Sequence, residues 1–394
     1  MTPSRAVLSC RGFSLVELMV ALAIALLVTS AVFAMLNPAG GAFQVQPEAA
    51  DTLQRLRAAT DALRRDVMSA GSGASTARSP YPSALIAAAI FPARIGRRSP
   101  DAAGTFRDTV LSFWSVSAAA PQAALAAPLA SVSGAATISA GPGCADQDLS
   151  CGFRSGMLAA VFGRSGAWDL FSITDAQGPV LTLQHNLRDS AFVFAAGDTI
   201  AAATARTYFF RDDRSTGVPQ LMRYDAGGGP DTPVIDHIAY GRFEYFGDPE
   251  PPWPALVPAG EPARATYGPM PPGVGVADTG YALGENCAFA RSAGGAIVPR
   301  LATLAPEPVL VPLTEPALTD GPWCPDAANP NRYDADLLRV REVVITVRAE
   351  AAITALRGPA GPLFTRSGTA RGSRFVPDRL SRIVVAPRAL NAAR

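Results

Sequence analysis

Apolar residues run almost without interruption from Phe13 to Leu36, and Glu17 is the one ionisable side chain among them. Coiled as a helix, this run is roughly 36 Å long, enough to cross a bilayer with some tilt. From Pro47 to about Ala70 the pattern changes. Ala49, Leu53, Leu56, Thr60, Leu63, Val67 and Ala70 recur at spacings of four and three, which puts them in one narrow stripe along a helix. Arg55, Arg57, Asp61, Arg64, Arg65 and Asp66 lie off that stripe, and Gly71-Ser72-Gly73 supplies a C-terminal stop. A stripe of this kind also suits a coiled coil; packing on the sheet that follows is the expected use. Between the two helical stretches stands Asn37-Pro38-Ala39-Gly40-Gly41, where a kink or a melted turn is expected.

Beyond Gly73 the apolar positions alternate instead. Strands are expected over Asp108–Val116, Met157–Phe162, Trp168–Ile173, Pro179–Leu183 and Ala191–Ala195. Thr207–Arg211 and Gln220–Tyr224 flank a turn-rich stretch and predict a hairpin with a long loop. Val234–Phe246, Val340–Val347 and Arg382–Ala386 complete the set. Three segments interrupt it: an Ala/Ser/Pro-rich stretch from Ala118 to Gly143, and proline-rich stretches from Asp248 to Gly275 and from Leu301 to Pro322. Proline lacks the donor a ladder needs, so all three are expected as loops. The resulting class is α+β: a long N-terminal transmembrane and amphipathic helix, then an irregular antiparallel β-sheet domain.

Charge gives the helix a direction. Arg5 and Arg11 precede the apolar run, and no acid lies between Met1 and Gly12, which predicts a cytoplasmic N-terminus. The Gly12-Phe13 junction lies before the apolar run, whereas a secretory signal is cut beyond it. A secretory cut near Ser30–Ala34 is the competing reading. The 394-residue chain has a formal net charge of +1, all 34 basic residues are arginine, and 17% of residues are charged. No basic block is evident, so nucleic acid is not an expected partner.

The stretch Arg11-Gly12-Phe13-Ser14-Leu15-Val16-Glu17-Leu18 resembles the class III signal of type IV pilins and type II secretion pseudopilins. The resemblance implies that a prepilin peptidase cuts after Gly12 and methylates the new N-terminal amine of Phe13. It also implies that Glu17, fifth from the cut, aligns the helix with neighbouring pilins or pseudopilins during assembly. The implied organisation is a leader over residues 1–12, a transmembrane helix over 13–36, its amphipathic continuation over 37–72 and a periplasmic domain over 73–394. The expected location is the inner membrane, single-pass, with incorporation into a pilus at the cell surface.

Two further stretches resemble PilW-type minor pilins. Leu63-Arg64-Arg65-Asp66-Val67-Met68-Ser69-Ala70-Gly71 is similar to the close of their long helix. Tyr208–Asp213 followed by Gly217–Tyr224, then Pro233–Ile238 and Phe243–Gly247, is similar to their hairpin and next strand. J-type minor pseudopilins share that hairpin and strand. A minor pilin acting in pilus assembly or initiation is therefore expected, with a J-type pseudopilin as the alternative. A membrane-anchored surface enzyme or binding module is the alternative from another class.

Five cysteines are present, and Cys10 falls in the leader. Cys144, Cys151, Cys287 and Cys324 remain, an even number suited to disulfides outside the cytoplasm. Three connectivities are open; pairing of sequence neighbours, Cys144 with Cys151 and Cys287 with Cys324, is expected. Their spacing lacks the short Cys-x-x-Cys repeats of a zinc site. No G-x-S-x-G or P-loop occurs, and the two histidines, His185 and His237, lie within or beside strands. No catalytic residue and no cofactor are expected. Asp326, Asn329, Asn331, Asp334 and Asp336 offer oxygens for calcium, but the glycine and terminal glutamate of an EF-hand are missing. A polar loop held by Cys324 is the favoured reading.

Overall fold

The computed structural model describes residues 14–73, 88–96, 99–102, 104–117, 119–129, 134–139, 144, 148–163, 168–185, 194–226, 229–249, 253–254, 289–291, 293–294, 297–299, 301–303, 309–320, 323–324, 333–371 and 374–391. Its contacts divide into two compact units. One contains the N-terminal helix as far as Leu53 together with Ala351–Asp378; the other contains Gln54–Glu350 with Arg379–Arg394.

The helix α1 runs unbroken over Leu15–Val67. The melted turn expected at Asn37–Gly41 is absent. Pro38 removes a single backbone donor, and each glycine costs about 1 kcal/mol relative to alanine. Those local losses do not stop a ladder 53 residues long. The second half of the helix buries most of the stripe its spacing predicts: Leu56, Leu63, Val67 and Ala70 lie in the core and Thr60 is buried, whereas Leu53 is 39% exposed. Ala59 joins them and is fully buried. The helix ends through Gly71 and Gly73, both at positive φ. A Cβ on Gly73 would lie 2.5 Å from that of Val116, so only glycine fits there.

The strands of the larger sheet are β1 (Ile90–Phe91), β2 (Val110–Ser115), β3 (Gln122–Leu125), β4 (Gly134–Ser139), β5 (Leu158–Phe162), β6 (Trp168–Gln177), β7 (Val180–His185), β8 (Thr199–Asp212), β9 (Pro219–Asp225) and β10 (Thr232–Asp236). The path β1-β2-β8-β3-β4-β7-β6-β5 returns to β8, because β5 pairs with β8 as well. Thus β8, β3, β4, β7, β6 and β5 form a closed ring, which removes their edges. The first half of β8 is flanked by β3 and β5. Its second half is flanked by β2 and β9.

Two expectations need correction here. The Ala-rich stretch expected as a loop contains β3 and β4, whose Ala123, Leu125, Ala136 and Ile138 are buried at alternate positions. Alanine is small enough to line a narrow ring but contributes little to a hydrophobic pattern. The strand expected over Val234–Phe246 is two strands, β10 and β11 (Ile238–Gly247), parted at His237 with φ 62°. That left-handed residue turns the chain out of the extended direction. Of the strand expected over Ala191–Ala195, residues 191–193 lie outside the described residues, and Phe194 forms a single bridge to Leu129.

A second antiparallel sheet has the order β12-β11-β13-β14, with β12 at Val311–Leu313, β13 at Val340–Ala349 and β14 at Arg379–Val385. β12 and the short strand Leu301–Thr303 both fall in a stretch expected as loop. Trp253–Pro254, in another such stretch, pairs with Leu301–Thr303. Phe243, Tyr245, Val343, Ile345 and Val347 fill the buried face of this sheet. Gly241 passes directly over Phe210, where a Cβ would overlap the ring. At the start of β13, Arg341 and Asp248 form an ion pair of 2.8 Å, and both side chains are buried.

Candidate functional site

The first 20 residues of α1 have no cover among the described residues. Leu15–Ala34 is 20 residues long and none of it is buried. Leu15 is 74% exposed, Val16 68% and Phe33 68%. An apolar surface this complete on one helix is the length and character of a bilayer span. Its hydroxyls do not break that character: Thr29 Oγ1 donates back to the Ala25 carbonyl, and Ser30 Oγ to that of Leu27 at 2.9 Å.

Glu17 sits in the first turn of this helix and is the one charged side chain of the span. Ser14 N donates to Glu17 Oε2 at 2.9 Å, and Glu17 N donates to Ser14 Oγ at 3.2 Å. This is a reciprocal capping box. It uses helix-terminal N–H groups that would otherwise lack partners, and it places a negative charge at the positive end of the helix dipole. The Ser14-Leu15-Val16-Glu17 spacing carries the sequence signal for it. Gly12 and Phe13 lie outside the described residues.

At its other end the helix is tied to the hairpin. Asp66 Oδ2 accepts from Tyr208 Oη at 2.6 Å and from Arg206 Nη1 at 2.8 Å. Tyr208 is 1% exposed. Burial first, and then the Asp66 carboxylate, raise its phenol above the ordinary tyrosine range. Arg206 also reaches Asp225 on β9 at 3.2 Å. The acid of the helix-ending motif is thereby joined to the first tyrosine of the hairpin motif.

Cys144 and Cys151 form a disulfide with Cα atoms 4.5 Å apart. Inside its ring Asp148 accepts from the Ser150 hydroxyl at 2.5 Å and from Arg154 at 3.0 Å. Cys324 lies in the short strand Trp323–Cys324, paired with Tyr333–Asp334. Cys287 lies outside the described residues.

Of the calcium candidates, Asp326, Asn329 and Asn331 lie outside the described residues. Asp334 caps the short helix Ala335–Arg339 by accepting from Asp336 N at 2.8 Å. Carboxylate oxygens of Asp320, Asp334 and Asp336 lie within 4.8 Å of one another. Arg339 already brings a positive charge to 3.1 Å from Asp336. His185 is the last residue of β7, and His237 Nδ1 lies 3.7 Å from the buried Glu350. A cavity of about 670 Å³ opens beside β11 and β12, lined by Phe106, Asp108, Arg242, Tyr245 and Glu315 without histidine, cysteine or serine. Asp108 and Arg242 form an ion pair across it at 3.4 Å.

The class of protein follows from these features: an antiparallel β domain and a helix whose first 20 residues, Leu15–Ala34, are predominantly apolar and not buried. A family model for the prokaryotic N-terminal methylation motif matches residues 8–33, the segment that holds Gly12, Phe13, Glu17 and most of the apolar run. No match to the chain is found among curated proteins or solved structures. The N-terminus is type IV pilin-like. The motif implies processing by prepilin peptidase and assembly with other pilins, a structural role. Together with the apolar helix it supports a single-pass inner-membrane anchor.

Proposed function

We propose that the protein is a minor pilin of PilW type, joined to a type IV pilus through α1 and acting in pilus assembly or initiation. The observation that carries this reading is a coincidence in sequence: the matched motif covers the same residues as the exposed apolar helix, with Glu17 its single charge. The PilW assignment rests on the two motifs joined by Asp66 and Tyr208. In this reading the leader ends at Gly12, Phe13 carries a methylated amine, and the β domain is periplasmic. Glu17 meets the N-terminal amine of a neighbouring subunit, exchanging its capping bonds for an ion pair that a charge in low dielectric requires. Cys287 pairs with Cys324, and the acids around Asp334 shape a loop rather than hold calcium.

The hairpin of β8 and β9 is equally at home in a J-type pseudopilin of type II secretion. Isolation of the mature protein from membranes, with identification of its co-purified subunits, separates the two. Recovery of pilus subunits supports the proposal. Recovery of secretion pseudopilins alone replaces it with the J-type reading, and recovery of neither removes both.

A further inference from the structure

The terminal strands of the two sheets are blunted, with one exception. β1 has two residues, and β12 has three, one of them Pro312. β10 carries Pro233 and a break in register between Pro233 and Ile235. Short length, proline and bulges keep a sheet edge from recruiting another chain. β14 has none of them. Its seven residues, Arg379–Val385, pair with β13 from end to end without a shift in register.

The open side of β14 follows from the ladder. Phe243 N donates to the Asp108 carbonyl at 2.6 Å, away from β13. Phe243 faces Ile345, and Ile345 faces Ile383. In an antiparallel ladder the N–H and C=O of one residue point to the same side, and successive residues alternate. Ile345 therefore turns its peptide groups to Ile383, and those of Leu380, Arg382 and Val384 face outward. Among the described residues no backbone group bonds to them. The side chains of the same residues stand on the exposed face of the sheet: Leu380 is 59% exposed and Val384 54%, with Arg382 between them. The charge here is one-sided. From Arg379 to the C-terminus the chain has Arg379, Arg382, Arg388 and Arg394 and no acid. Arg379 and Arg388 are exposed and form no ion pair among the described residues. Arg382 reaches Glu244, two strands away, at a long 3.7 Å, and an exposed pair of that kind holds little energy. Glu342, the other acid on this face of β13, lies beyond the last pair, Val343 with Val385. An arginine between two exposed aliphatic side chains suits a neighbouring strand with an acid between two apolar residues.

We infer that β14 is the docking edge for an extended acidic segment of a partner protein, which adds to this sheet as its next strand. The segment bonds through its backbone to Leu380, Arg382 and Val384. It sets an acidic residue against Arg382 and, two positions to either side, apolar residues against Leu380 and Val384. Backbone bonds supply the attachment, and the arginine selects the partner and its register. The edge belongs to the β domain, so the inference does not depend on the membrane helix.

The test uses the full chain in detergent micelles and the peptide Thr-Val-Thr-Glu-Thr-Val-Thr, blocked at both ends, read by residue-resolved hydrogen exchange. Without peptide, the amides of Leu380, Arg382 and Val384 should exchange freely, while those of Ser381 and Ile383 are protected. With peptide, exchange at Leu380, Arg382 and Val384 should slow saturably, about ten-fold once free peptide reaches about nine times its Kd. The counterpart with lysine in place of glutamate should bind on the order of five-fold more weakly. Arg382→Glu should reverse that preference. The Arg382 side chain is exposed, and unchanged exchange across β13 verifies the fold of the variant. No slowing at millimolar peptide, equal slowing by both peptides, or an unreversed preference in Arg382→Glu overturns the inference. Protection of the three outward amides without any peptide overturns it as well; where that protection rises with protein concentration, the edge belongs to a second copy of the chain.

Discussion

Tyr208 Oη donates a hydrogen bond of 2.6 Å to Asp66 Oδ2, linking the last turn of α1 to the middle of β8. The two residues are 142 positions apart. Arg206, two residues before Tyr208 on the same strand, makes the bond part of a charged network. The helix therefore ends on the longest strand of the larger sheet, where the closed ring and the open sheet meet.

Loss of Asp66 should loosen this junction. Asp66→Ala leaves the buried Tyr208 hydroxyl without its acceptor, a loss of about 2–3 kcal/mol. Tyr208→Phe removes the donor and costs about 1 kcal/mol. Denaturant unfolding of the single and double variants measures the coupling. Costs that simply add would show that the bond does not hold the helix end.

Much of the architecture is legible before any coordinates, and the failures have physical reasons. Glycines, acids and apolar positions at fixed offsets give away the membrane run, the helical stripe and the hairpin, because those features are local. Closure of the ring is not local: β8 must receive β3 on one side and β5 on the other. The strands at Gln122–Leu125 and Gly134–Ser139 are hidden by alanine, whose alternation carries little hydrophobic contrast. The role of Asp66 in the motif ending at Gly71 emerges only with Tyr208 beside it.

The disulfide ring should be acid-sensitive at Asp148. Hydrogen bonds from Ser150 and then Arg154 lower its pKa from 3.8 to about 2. A depressed carboxyl contributes stability that is present above its unfolded value and lost as the pH falls through the folded one. The bonds to Ser150, Gly152 and Arg154 should thus persist above about pH 4 and be lost towards pH 2. Amide exchange at Ser150 and Gly152 follows the change, and Asp148→Asn should flatten it. A profile identical in wild type and variant assigns the titration to another group.

Glu17→Gln separates capping from assembly. The amide retains an acceptor for Ser14 N but has no charge for a neighbour's amine. Insertion and processing should be retained, because removal of a charge from the first turn of the apolar run does not oppose insertion. Co-purified pilins should fall at least about ten-fold, the effect of an ion pair worth roughly 1.4 kcal/mol or more. Wild-type co-purification with normal filament number would confine Glu17 to its capping bonds.

The central claim is that the chain is made as a prepilin, and its native N-terminus tests that most directly. Intact mass and N-terminal sequencing of protein extracted from the membrane should give a chain beginning at Phe13 with one added methyl group. A chain that keeps residues 1–12, or one that begins beyond Ala34, would contradict it.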